Sequence, residues 1–238
     1  MGTSTEASKR KPRVLFINTR SALGADVAVH LTLIQNFDPN KIDVHIATNR
    51  NSTDLGATLE QLKSVPDLKL VVCDLGYELS GGGSGKIRKL ISAAKNFGAA
   101  VSLVRLAWYI RKNKIDILHS TDRPRDAAFS TILARLAGCK NVIHVHIKWY
   151  PEIGRATTWA AAHCTSVLAI SQFTRQSLID GGISPAKIGT VLNATDTVKF
   201  DPAKTSRGLL RKNLLIRGKA VLGSQPGKDG FSLLLPTA

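Results

Sequence analysis

Acidic residues are scarce in this sequence: 17 Asp and Glu stand against 33 Lys and Arg, leaving a net charge of +16. That imbalance calls for an anionic partner, whether a phosphorylated ligand, an anionic membrane surface or nucleic acid. Aromatics are also few, at 5%, and neither a base-stacking nor a zinc-finger pattern accompanies the basic charge, so nucleic acid is the least favoured of the three. The three cysteines, Cys73, Cys139 and Cys164, lie far apart with no CxxC pair. This excludes a disulfide framework and a cysteine-based zinc site, and fits buried, reduced thiols in a cytoplasmic protein. The longest apolar run, "FGAAVSLVRLAWYI", is too short to span a bilayer and carries Arg105. The N-terminus, "MGTSTEASKRKPR", lacks the apolar core of a secretion signal. A soluble cytoplasmic protein is expected, with peripheral contact at the inner face of the membrane open to it.

Short apolar runs alternate with longer amphipathic ones. "RVLFIN" (13–18), "KIDVHIAT" (41–48), "LKLVVC" (68–73), "IDILHS" (115–120), "NVIHVH" (141–146) and "SVLAIS" (166–171) have the unbroken apolar character of parallel strands covered on both faces. Between them, Ile87, Leu90, Ile91, Ala94, Phe97, Val101, Val104 and Trp108 recur at helical steps and predict one long helix with that stripe turned inward. The β-α repetition predicts an α/β fold, a Rossmann-like, doubly wound and mostly parallel sheet. Residues 1–12 read as a basic flexible tail and 13–192 as the Rossmann-like domain. The turn-rich "NATDTVKFDPAKTSRG" supplies a linker over 193–206, and 207–238 looks like the incomplete start of a second domain.

The glycine-rich "SGGGSGK" (80–86) resembles a phosphate-binding loop at first sight. That motif needs Gly where Ser80 stands and Ser or Thr where Ile87 stands, so the Mg²⁺-binding hydroxyl is missing. A flexible strand-to-helix connection is expected instead, or a mobile lip over a cleft. In a doubly wound sheet, ligands bind beyond the carboxyl ends of the strands. Those ends carry "NTRSALGAD", "HSTDRPRD", "HVHIKWYPE" and "ISQFTR", where polar and ionisable residues concentrate.

The order of these segments resembles the N-terminal half of a family 4 glycosyltransferase of the GT-B fold. The likeness runs over roughly 14–202, through "RVLFINTRSALGAD", "DILHSTD", "NVIHVH" and, at greatest length, "SVLAISQFTRQSLIDGGISPAKIGTVLNATDTVKFDP". It departs from the family pattern in having one glycine, Gly24, where two are common, Asp26 for Glu, Thr121 for a second His and Ala194 for Gly. The resemblance implies a retaining, metal-independent transfer of a sugar from a nucleotide donor to a glycan or lipid-linked acceptor, with this chain forming the acceptor-side half. The family's Glu-x7-Glu carboxylates are absent, which argues against catalysis by this chain alone. The alternatives are a partner chain supplying a C-terminal domain, a non-catalytic binding module, or a basic binder of anionic membranes or nucleic acid that keeps only the fold.

The resemblance also assigns roles. His146, ending its strand, is the catalytic-site residue that would hydrogen-bond and orient the donor sugar. Gly24, Asn193 and Lys228 fall at donor-binding positions, although Asn193 also reads as a hinge residue. Asp26, Asp122, Arg123, Arg125 and Ser171 are candidates for acceptor binding. Each has a plainer alternative: Asp26 and Ser171 as helix caps, and Asp122, Arg123 and Arg125 as a solvated, capping loop. His144 and His146 point to one face of a strand, but no Asp, Glu or Cys lies nearby in sequence to complete a ligand set. No metal site is expected and His144 reads as structural, while His119 also ends a strand, where a functional role and a hydrogen bond to loop backbone explain it equally well.

Overall fold

Runs of Val, Ile and Leu build seven short parallel strands, and the computed structural model describes residues 10–20, 25–63, 65–76, 86–150 and 153–193, with only the backbone of 25–26 and 86–96. The strands are β1 (Arg13–Asn18), β2 (Asp43–Asn49), β3 (Lys69–Cys73), β4 (Ile117–Thr121), β5 (Lys140–Val145), β6 (Ser166–Ala169) and β7 (Ile188–Thr190). The helices are α1 (Ala25–Asn36), α2 (Leu55–Leu62), α3 (Lys86–Lys112), α4 (Pro124–Ala137), α5 (Arg155–His163) and α6 (Gln172–Asp180). The sheet order is β3-β2-β1-β4-β5-β6-β7, every pair parallel. The order reverses between β1 and β4, as in a doubly wound sheet. The expected α/β, Rossmann-like architecture is therefore present. The glycine-rich 80–85, Gly24, the tail up to residue 9 and everything from 194 onward, including Lys228, lie outside the described residues. Arg10, within the expected tail, is described and clasps Asp116 at 2.7 and 2.8 Å.

Two core layers sandwich the sheet. On one face Val14, Phe16, Val44 and Ile46 pack under Val27, Leu31 and Ile34 of α1 and Leu62 of α2. On the other, Leu15, Ile17, Ala47 and Leu118 meet Leu106, Ala107 and Ile110 of α3 and Leu133 and Ala134 of α4. That layer's continuation under α5 gathers Ile143, Val145, Val167, Trp149 and Ala160. Each fully buried Leu, Ile or Phe contributes about 1.5–3 kcal/mol, enough to offset the chain entropy of ordering these strands. α4 shows how local sequence sets its ends. Pro124 occupies its first turn, and Gly138 closes it in the left-handed region at φ 74, its N–H bonded to Ala134 O at 2.8 Å.

Four expectations need correction. β3 is not a strand covered on both faces: it is a sheet edge, and Leu70 and Val72 are exposed. The described part of the stripe expected to bury α3 points outward, with Phe97, Val104 and Trp108 exposed by 70, 71 and 61%, while the side chains of Ile87, Leu90, Ile91 and Ala94 lie outside the described residues. α3 instead buries Ala99, Ser102, Leu106, Ala107 and Ile110. Over its described side chains the helix carries two apolar stripes, and the one with Leu106, Ala107 and Ile110 joins the core. Cys73 and Cys139 are half-buried, and only Cys164 is buried. β7, a three-residue edge strand, falls in a segment not expected to be a strand.

Candidate functional site

The reversal of strand order puts the carboxyl ends of β1 and β4 side by side, and a buried polar network fills the gap. The Asp126 carboxylate, in the first turn of α4, accepts the Thr19 N–H at 2.8 Å and the Thr121 hydroxyl at 2.6 Å. It thereby ties the exits of both central strands to one helix N-terminus, where a negative charge is favoured. Asn49, fully buried, does the same for β2: its amide donates to the carbonyls of Thr19 and Gly76, and its oxygen accepts from Leu75 N–H and Asn51 N–H. Asn49 does not stand out as a site residue in the sequence, and Asp126 reads there only as one member of the charged loop with Asp122, Arg123 and Arg125. The signal for both is position alone, a small polar residue at or just past a strand end.

Around this network the candidate residues separate. Asp122 is buried, and its carboxylate accepts the backbone N–H of His146 at 3.1 Å. An acceptor reaching Asp122 would compete with that bond. Arg125 turns toward β3 and donates to Leu75 O at 3.3 Å. Arg123 is half-buried and is the N-cap of α4, with its N–H on Thr121 Oγ1 at 3.3 Å. Ser171 is the N-cap of α6, its hydroxyl accepting Thr174 N–H at 3.0 Å. Asn193 is exposed, the last described residue after β7. Asp26 lies in the first turn of α1, where only its backbone is described.

His146 sits immediately beyond β5, half-buried, and it has company. His30 of α1, His119 of β4 and His144 of β5 bring their rings together beside it: His144 lies 4.3 Å from His146, His119 4.8 Å from His30, and His30 5.6 Å from His146. Phe16 stacks on His119 at 4.6 Å. Burial, reinforced by the neighbouring rings, holds His30 well below the usual histidine range, His119 down to about 3 and His144 to about 4. All three are neutral at pH 7. His30 could not be paired with the others from sequence, since α1 and β4 are brought together only by the tertiary fold.

The profile of Glycosyltransferase Family 4 matches residues 24–199, well over half of the 238. The chain belongs to Glycosyltransferase Family 4. No curated relative matches the sequence significantly. Among solved structures, Anabaena Alr3699/HepE, in complex with UDP and glucose, is similar at 14% identity and TM-score 0.59, over 85% of this chain and 50% of that one. A glycosyltransferase from Rickettsia africae is similar at 17% identity and TM-score 0.56, over 87% and 49%. The UDP-GlcNAc 2-epimerase of Methanocaldococcus jannaschii is similar at 16% and 0.54, over 76% and 45%. The chain spans about half the length of these structures. At such identities the likeness establishes the fold and no more.

Two concavities among the described residues lie away from the switch point. One, of about 450 Å³, opens at the amino ends of β1 to β3, lined by Arg13, Asp43, Val44 and Lys69. The other, of about 490 Å³, lies between β3 and α3, lined by Val72, Asp74, Arg105 and Trp108. For a Family 4 chain the strand exits of β1, β4 and β5 have the better chemistry, because there buried hydrogen bonds hold polar groups in place.

Proposed function

We propose that this Family 4 chain is the acceptor-side half of a sugar-nucleotide-dependent glycosyltransferase. The observation that carries the proposal is the placement of His146 at the exit of β5, held by Asp122 beside the β1/β4 switch point, in a chain whose family match covers α1, β4 and β5. In the reaction, the bond from the sugar's anomeric carbon to the donor diphosphate breaks. A new bond forms to an acceptor hydroxyl, whose proton passes to the departing phosphate oxygen. The family implies that the new bond takes the same face as the old. His146 would hydrogen-bond the sugar and hold it in line, while Gly24, Asn193 and Lys228 would serve the donor. Charge developing on the diphosphate needs fixed cationic groups rather than a metal ion, and these would come from a C-terminal half, in the same protein or in a partner chain.

Transfer of label from radiolabelled sugar nucleotides to a glycan or lipid-linked acceptor tests this. The chain is assayed alone and together with a donor-binding C-terminal half. Transfer with the added half, reduced at least tenfold by His146→Ala, supports the proposal. Epimerised donor without any transfer, or no turnover in either assay, sinks it.

The exposed stripe on α3 favours one addition. Phe97, Val101, Val104 and Trp108 lie on the same side as Arg105 and Lys112, with the Lys112 ammonium 4.7 Å from the Trp108 ring. An apolar stripe edged by cations suits the surface of an anionic bilayer, where a lipid-linked acceptor would be found. Among the described residues no helix is long and apolar enough to cross a membrane. Cosedimentation with anionic vesicles, lost with Trp108→Glu and absent with zwitterionic ones, is the expected result. Binding that ignores lipid charge would count against it.

A further inference from the structure

Four of the six histidines in the sequence meet in one place. His119 and His144 stand on adjacent strands and on the same face of the sheet as Phe16, paired through Phe16↔His119 and Thr121↔His144. α1 crosses that face and lowers His30 onto them. One nitrogen from each of His30, His119 and His144 lies within 4.8 Å of the other two. The three residues are exposed by 5, 9 and 1%.

What is unusual is how little the protein gives these nitrogens. His30 Nε2, His119 Nε2 and both ring nitrogens of His144 are buried with no hydrogen-bond partner among the described residues. Buried polar atoms are nearly always bonded, and each exception asks for an explanation. Phe16, against His119, offers only a ring face. Hydrogen bonds between the imidazoles do not resolve the arrangement, because no such bond is formed. A ligand that accepts several nitrogen lone pairs at one point would satisfy the three residues together.

We propose that His30, His119 and His144 form a binding site for a divalent transition metal ion of the zinc class, with a fourth position open toward His146. Three observations carry this. The donor set is imidazole alone, which suits zinc, cobalt, nickel or copper and not the oxygen-seeking calcium or magnesium. The rings are neutral at physiological pH, held so by burial, and neutral imidazole is the ligating form. The spacing is close to what is required: metal–nitrogen bonds of about 2.0–2.1 Å in a tetrahedron set ligand nitrogens about 3.3 Å apart. Asp122, bonded to the His146 N–H, is a nearby carboxylate to offset the ion's charge.

Such an ion would tie α1 to β4 and β5 just beneath the switch point, fixing the helix that follows residues 21–24. This role is separate from sugar transfer and does not rest on it, because the donor diphosphate takes no part.

The test uses the full chain without a histidine tag, stripped with chelator and then titrated with Co²⁺. The expected result is one Co²⁺ per chain with the intense visible bands of a tetrahedral site, removed by one equivalent of Zn²⁺. Saturating Zn²⁺ should also raise Tm by several degrees. His30→Phe and His119→Gln should each weaken binding at least tenfold, whereas His163→Phe, on the exposed side of α5, should leave it unchanged. The wild-type titration decides the matter even if a cluster variant fails to fold. No tetrahedral bands and no rise in Tm with either metal would overturn the proposal. So would stoichiometric binding that survives both cluster substitutions.

Discussion

The carboxylate of Asp122 accepts the backbone N–H of His146 across 3.1 Å, joining the loop after β4 to the residue just beyond β5. This bond turns two separate candidates into one unit, in which the acid positions the backbone that carries the histidine. Asp122→Ala leaves that buried N–H to find another acceptor, at a cost of about 1–3 kcal/mol. Chemical denaturation should show that loss. Asp122→Asn, which keeps a carbonyl oxygen, should recover most of it, and equal losses in the two variants would contradict the positioning role.

Asp126 holds more with one group. Asp126→Ala strands the Thr19 N–H and the Thr121 hydroxyl together. The expected destabilisation is therefore larger, on the order of 2–5 kcal/mol. Asp126→Ala and Thr121→Val should be non-additive in a double-mutant cycle, because they share a partner. Simple additivity would show that the network does not act as one.

Gly181 ends α6 against the face of Trp149. A Cβ there would collide with Trp149 Cδ1 and lie 2.6 Å from its Nε1. The indole is buried and its residue's backbone N–H is bonded to Ser177 Oγ at 3.0 Å, so it has little room to give. Gly181→Ala should cost about 1–3 kcal/mol through overpacking, with a changed Trp fluorescence spectrum. Gly56→Ala, in the open on α2, should be neutral or stabilising by a few tenths of a kcal/mol.

The histidine cluster sets an acid limit on the metal-free protein. His30, His119 and His144 are lowered in the folded state, so the unfolded chain binds more protons between the unfolded value near 6.5 and the folded values. Their contribution is therefore fully present above about pH 6.5 and is lost as pH falls through about 4 and then 3. Asp122 is the carboxylate bonded beside them, through the His146 backbone N–H. Unfolding free energy measured from pH 7 to 4 should fall steadily, and His144→Phe should flatten the curve. A profile unchanged by that variant would mean the cluster is not the source.

Much of the fold was legible in the sequence because six of the seven strands are mainly apolar runs, and the six runs match six strands within two residues at either end. The exceptions have one cause. Whether a strand is an edge, or which of two apolar stripes on α3 faces inward, depends on neighbours distant in the chain. β3, β7 and the exposed Trp108 follow from sheet order, which local patterning does not contain. At the site, strand-end polarity pointed to Asp122 and His146, and the structure joins them. His30 and Asn49 are visible only once α1 and β2 have been placed against the rest of the sheet.

The place of β1 in the sheet also sets a schedule. Its second neighbour is β4, and the bond from Arg13 N–H to Asp116 spans 103 residues. "RVLFIN" emerges first during synthesis and can pair on one side with β2. Its other edge stays open until residue 121 has been made. Non-local parallel pairing is slow and leaves apolar strands exposed while it waits. A fragment ending before residue 117 should aggregate, and one ending at 193 should remain in solution. A strand inside the finished sheet, with a neighbour on either side, is thus the one that waits longest for its second partner.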